Sequence, residues 1–326
     1  MNSRTLGKSG YQVSEIGLGC WQLGGDFGPL GDEVAAGILA EAAGQGINFW
    51  DTADVYGGGI SEERIAAFLH DRPAPVKVAT KVGRDSGLFP DGYTKGKVRE
   101  NLEGSLKRLR TETLDLVQLH CVPPGVLEAG DLLAWMEDFQ AEGIVRHFGA
   151  SVQTLAEARV AVRHPNLASL QIIFNLFRQD AMSELFPLAE ANEVGIIVRL
   201  PLASGILAGK MNADTAFAES DHRHYNRNGE AFSQGETFSG IPYETALALV
   251  ERIREKVPHG MSMAQMAMRW LLDHPAVTTV IAGASRPEQV RENAAVSQLP
   301  PLPGNLHEWL ASFYLSEVRS RIVVSI

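Results

Sequence analysis

Four side chains in this 326-residue sequence pair ionisable chemistry with a common setting. Asp51 ends the apolar run 47-INFWD-51, Tyr56 follows five residues later before three glycines, Lys81 ends 76-VKVATK-81, and His120 ends 114-LDLVQLH-120. Each run reads as a short buried strand that stops where a polar residue appears. In folds built on parallel strands the chemistry gathers at the C-terminal strand ends. An ammonium desolvated there needs a counter-ion, and Asp51 on the neighbouring run supplies one. A nearby ammonium also stabilises a phenolate and draws down a hydroxyl pKa that otherwise lies near ~10. Tyr56 is therefore read as a proton donor tuned by Lys81 and Asp51, and His120 as a donor that orients a carbonyl oxygen. The plainer alternative is an Asp51 that caps a turn and a Tyr56 that packs.

The elements that must position these residues follow from alternation along the chain. Strand-like runs lie at 16–20, 47–51, 76–81, 114–120, 145–151, 169–175, 195–200 and 277–283, separated by amphipathic segments. In 97-KVRENLEGSLKRLR-110, Val98, Leu102, Leu106 and Leu109 share one face of a helix. Thr154 with Glu157, and Ser262 with Gln265, match capping boxes that open helices. Eight strands joined by crossover helices predict a single α/β domain over residues 1–326, a (β/α)₈ TIM barrel. An N-terminal β-hairpin precedes it, and a long loop, about 211–241, follows strand seven. Gly17 and Gly19 resemble half of a dinucleotide fingerprint, but position 22 is Gln, which argues against an open Rossmann sheet.

Composition narrows the function further. A net charge of −10 argues against nucleic acid as a partner, and no apolar run approaches the ~18 residues of a membrane span. The start, MNSRTLGKSG, lacks a signal-peptide run, so the expected location is the cytoplasm. Two cysteines, Cys20 and Cys121, offer neither a disulfide framework nor a zinc spacing. His222 and His224, in 221-DHRHYN-226, are the nearest approach to a metal pattern, and they read instead as a solvated or anion-facing lid; no metal is expected. The lid's cations call for an anion, so the loop is expected to be mobile alone and ordered by an anionic ligand.

The motifs 49-FWDTADVYG-57, 78-VATKVG-83, 114-LDLVQLH-120, 149-GAS-151, 171-QIIFN-175, 201-PLASGILAGK-210 and 280-VIAGASRPEQVRENAAV-296 resemble the aldo-keto reductases, in order and over nearly the whole chain. The resemblance makes Asp51, Tyr56, Lys81 and His120 the catalytic four. It implies NADP(H), with NAD(H) also open, held across the barrel mouth, and a small-molecule carbonyl substrate (aldehyde, ketone or aldose) interconverted with its alcohol. A cofactor-binding partner protein, like the potassium-channel β subunits, is the alternative on the same barrel.

The cofactor residues carry over one by one. Ser151 and Gln171 match carboxamide contacts, Arg199 sits where an aromatic residue commonly stacks on the nicotinamide, and Leu202, Ser204, Gly205 and Leu207 lie in the segment that follows the pyrophosphate. Ser285 to Glu288 reads as a capping box beside a phosphate, with Arg286 as a clamp for a 2′-phosphate and Gln289 and Asn293 as adenosine contacts. Gly283 stands where a strong preference for the phosphorylated form often brings a basic residue, and Val152 where an asparagine is common. Trp21 is expected to wall the substrate pocket.

Overall fold

The computed structural model describes residues 1–326. A two-stranded antiparallel hairpin, β1 (Ser3–Thr5) and β2 (Gln12–Ser14), comes first. The next eight strands are β3 (Ile16–Gly19), β4 (Phe49–Asp51), β5 (Lys77–Val82), β6 (Leu114–His120), β7 (Val145–Ser151), β8 (Ser169–Ile173), β9 (Gly195–Arg199) and β10 (Val277–Gly283). All pair in parallel, and β10 closes onto β3. Helices lie between them, and the two expected capping boxes form at Thr154 and Ser262.

The two-residue period of a strand explains how one barrel has two different ends. Phe49, Ala79, Leu116, Ile197 and Ile281 join Leu6 and Val13 of the hairpin in one buried cluster. Two residues further along the same strands stand Asp51, Lys81, Gln118, Arg199 and Gly283. Alternation keeps them on the same face, so the barrel interior is apolar at its N-terminal end and polar at its mouth. The hairpin plugs the apolar end, where full burial of Leu6 and Val13 stabilises by roughly 1.5–3 kcal/mol each. A larger shell of buried residues joins the strands' outer faces to the helices.

The long loop departs from expectation. Part of it is built into the fold, with Asp221, His222, Asn226, Glu236, Thr237 and Ser239 all shielded from solvent while residues such as Asp214, Glu219 and Glu230 stay exposed. Asp221 caps the short helix His222–Tyr225, and Asn226 Oδ1 accepts from the amides of Ala231 and Phe232. Arg223 pairs with Asp221 at 2.6 Å, and Arg227 lies 3.6 Å from Glu244. The premise that these cations lack partners therefore fails for both arginines, since Asp221 comes from the loop and Glu244 from the helix that follows it. His222 is no solvated lid residue either, being packed 4.7 Å from Trp21 and 4.4 Å from Phe27 between ring centroids.

Candidate active site

The barrel mouth holds a cavity of about 350 Å³ lined by Asp51, Tyr56 and His120. Lys81 lies beneath it, sealed at 1% exposure. Its Nζ donates to Asp51 Oδ1 at 2.5 Å, to the Thr52 carbonyl at 2.7 Å and to the Tyr56 hydroxyl at 3.1 Å. Burial works against that charge, but Asp51 and Tyr56 outweigh it and raise the lysine's pKa. The four residues that the sequence brought forward thus meet, on three neighbouring strands and the turn after the first.

Tyr56 differs from expectation in its titration. Burial pushes its hydroxyl up to about 12, against the lowering that Lys81 exerts. It is a protonated acid at neutral pH rather than a half-ionised one. His120 lies well below its ordinary value, because burial and the nearby charges of Arg84, Lys81 and Arg199 all disfavour the cation. The ring is neutral, and its Nδ1 is buried without a partner.

Most of the expected cofactor residues line the same cavity: Ser151, Gln171, Arg199, Leu202, Ser204, Gly205, Gly283, Ser285 and Gln289, with Trp21 at the far wall. Trp21 stacks toward Tyr56 with centroids 5.8 Å apart. Gly205 adopts φ +93, a conformation that suits glycine, and presents its backbone to the cavity. Leu207 does not reach it; the side chain is wholly buried in the core. Arg286 and Asn293 also lie outside the lining, Arg286 half exposed beside Glu288 and Asn293 turned toward the Gly283 carbonyl at 3.5 Å. The capping box at Ser285 does not form. Gln289 Oε1 instead accepts from the Ser285 amide at 2.8 Å and from its hydroxyl, so Gln289 takes the place expected of Glu288.

Arg199, where the family commonly has a stacking aromatic residue, is tied into a polar network. Its guanidinium donates to Glu236 at 3.0 Å, to the Val152 carbonyl and to Gln153. Arg84 binds the same carboxylate from the β5 side at 2.5 Å. Burial opposes the Glu236 charge, yet the two guanidiniums hold it down at about 2. Gly283 also has a local reason, since a Cβ there would meet the Gln22 amide at 2.2 Å. A basic side chain at 283 would have to displace Gln22.

Sequence reasoning missed Glu236, Lys210 and Gln118. Nothing local marks Glu236, which arrives from mid-loop. Lys210 ends the motif that carried Gly205 and borders the cavity without an ion pair. Gln118 stands two residues before His120, and strand alternation alone puts it on the inner face. No three His, Cys, Asp or Glu side chains converge as metal ligands, and no helix is long and apolar enough to cross a membrane.

Comparison with known proteins agrees with this geometry. Residues 15–311 match the model of the Aldo/keto reductase family. The uncharacterized oxidoreductase YqkF of Bacillus subtilis is 31% identical over 299 residues, 90% of each chain. The holo form of aldo-keto reductase AKR11C1 from Bacillus halodurans superposes with a TM-score of 0.77, at 27% identity and 96% of each chain. An aldo-keto reductase from Klebsiella pneumoniae in complex with NADPH shares the fold, with a TM-score of 0.71 at 21% identity over 99% of this chain and 100% of its own.

Proposed function

The chain belongs to the aldo/keto reductase family of oxidoreductases, and from that premise we propose that it interconverts a carbonyl and its alcohol with NADP(H), or NAD(H), using Tyr56 as general acid and base. The observation that carries this reading is the chain of contacts from Asp51 through Lys81 to a tyrosine hydroxyl facing the cavity.

The residues present fit such a nucleotide. Polar residues for both parts of it, Tyr56 and His120 on one hand and Ser285 and Gln289 on the other, line the one cavity together with Gly205. Lys210, with no counter-ion of its own, and Gly205, which lines the cavity without a side chain, suit a pyrophosphate. Ser151 and Gln171 would hold the carboxamide, and Arg286 would reach a 2′-phosphate only from the rim. A bound reduced nicotinamide supplies hydride to the carbonyl carbon.

The chain's own residues do the rest. His120, neutral, donates an N–H to the carbonyl oxygen and fixes its direction; the sealed Nδ1 suits the bare ring nitrogen, leaving Nε2 as the donor. Tyr56 gives that oxygen its proton, and the phenolate left behind lies 3.1 Å from the Lys81 ammonium. Asp51 keeps the ammonium in place. In the opposite direction the phenolate takes the alcohol proton. Trp21 and Phe27 close one wall and give the substrate an apolar surface to lie on.

The test is a coupled assay of aldoses, aliphatic and aromatic aldehydes and keto compounds with both nicotinamide forms. Turnover of at least one carbonyl is expected. Tight nucleotide binding with no turnover across the panel would favour a cofactor-binding partner protein instead.

A further inference from the structure

The Asp51 carboxylate has two faces. Oδ1 accepts from Lys81, and Oδ2 accepts from Gln171 Nε2 at 2.7 Å and Gln118 Nε2 at 3.1 Å. All four side chains are essentially buried, so a lost partner leaves a costly unpaired charge. Gln171 is also tied to Ser151, whose hydroxyl donates to Gln171 Oε1 at 3.1 Å. Both functional groups of the Gln171 amide are thus engaged inside the protein, although Gln171 lines the cavity where a carboxamide would lie. Gln118 differs. It does not line the cavity, its register partners are Lys81 and Gly149, and its Oε1 is buried with no partner.

We propose that Gln118 is a positioning residue that keeps the outer oxygen of Asp51 bonded when Gln171 turns its amide to the cofactor. The inference rests on the nicotinamide reading above. Gln171 Nε2 carries a second N–H, and turning the amide to aim it at a carboxamide lengthens the bond to Oδ2, which then leans on Gln118. With Gln118 present the carboxylate keeps a donor, stays aimed at Lys81, and Lys81 stays under Tyr56. Without it, the bound state leaves a buried carboxylate oxygen with only the lengthened bond, and the aspartate must turn from Lys81 or hold Gln171 back from the cofactor. An unpartnered Oε1 is the cost the fold accepts for placing that Nε2 there.

Gln118→Leu keeps much of the volume and removes the donor. A hydrogen bond to a buried charge is worth enough that kcat should fall about ten- to hundred-fold, with weaker NADPH binding. Gln118→Glu restores a donor only while protonated. Asp51 accepts from that position, Lys81 is its register neighbour on β5 and His120 follows two residues along β6; the adjacent Asp51 carboxylate raises the pKa of the new one. Its turnover should therefore approach wild type at low pH and fall as pH rises, a profile that lost packing alone would not produce. Folded Gln118→Leu with wild-type kcat and NADPH affinity overturns the inference, as does a Gln118→Glu profile parallel to wild type. The second criterion decides alone if Gln118→Leu does not fold. Wild-type protein that binds neither nucleotide takes down the cofactor reading together with this one, whereas wild-type turnover beside an unaffected Gln118→Leu takes down this one alone.

Discussion

At the scale of the residue, the tyrosine hydroxyl is pulled two ways, and burial wins. A hydroxyl held at about 12 is a standing acid, so carbonyl reduction should be flat across neutral pH. Alcohol oxidation needs the phenolate, whose fraction grows about ten-fold per pH unit below that value, so its kcat should climb with pH. Paired pH profiles of the two directions check this; an oxidation rate flat from neutral to alkaline pH contradicts it. Lys81→Met should both slow turnover and destabilise the fold by about 3–5 kcal/mol, because Asp51 is left buried without its counter-charge. Denaturant titration reads that loss, and a stability within about 1 kcal/mol of wild type would show the pair to be dispensable. The pairing of Asp51 with Lys81 was legible in the sequence because two strand ends, one acidic and one basic, had to meet. The direction of the Tyr56 shift was not, since depth of burial depends on Trp21 and on loop residues far along the chain.

At the scale of the element, the barrel was legible and its long loop was not. Eight apolar runs with helical spacers leave few ways to close a sheet, and alternation fixes which side chains face inward. The loop's order depends on pairings such as Glu236 with Arg84 and Arg199, distant in sequence and invisible to any local pattern. Glu236→Gln keeps shape but removes the charge between two guanidiniums. The loop around Gln234–Gly240 should then be cut faster by protease, and equal cleavage would mean that other contacts hold it. His222 provides a second reading of the same element. Burial lowers its pKa to about 4, so the folded state binds its proton later than the unfolded chain does. Its contribution is therefore complete above about 6.5 and is lost as pH falls toward 4, by at most about 3 kcal/mol. His222→Gln loses packing at pH 7 but lacks this acid penalty. The stability gap between wild type and variant should narrow between pH 7 and pH 4, and a constant gap would place the histidine's titration elsewhere.

At the scale of the whole molecule, one end of the barrel is spent on stability and the other on chemistry. The hairpin plug and the apolar inner faces rigidify the strands, and the polar residues two positions further on are held at a mouth that the loop and Trp21 enclose. The family motifs lead to that mouth, although Leu207, Arg286 and Asn293 lie outside the cavity lining, a placement set by backbone geometry rather than by residue type. The central claim is that Tyr56 passes the proton while the barrel mouth holds the nicotinamide. It is tested most directly by measuring turnover and NADPH affinity together in wild type and Tyr56→Phe. The account predicts unchanged affinity and a kcat lower by about 10²–10⁴-fold, the usual contribution of a positioned acid. Tyr56→Phe that turns over at the wild-type rate with NADPH bound would contradict it.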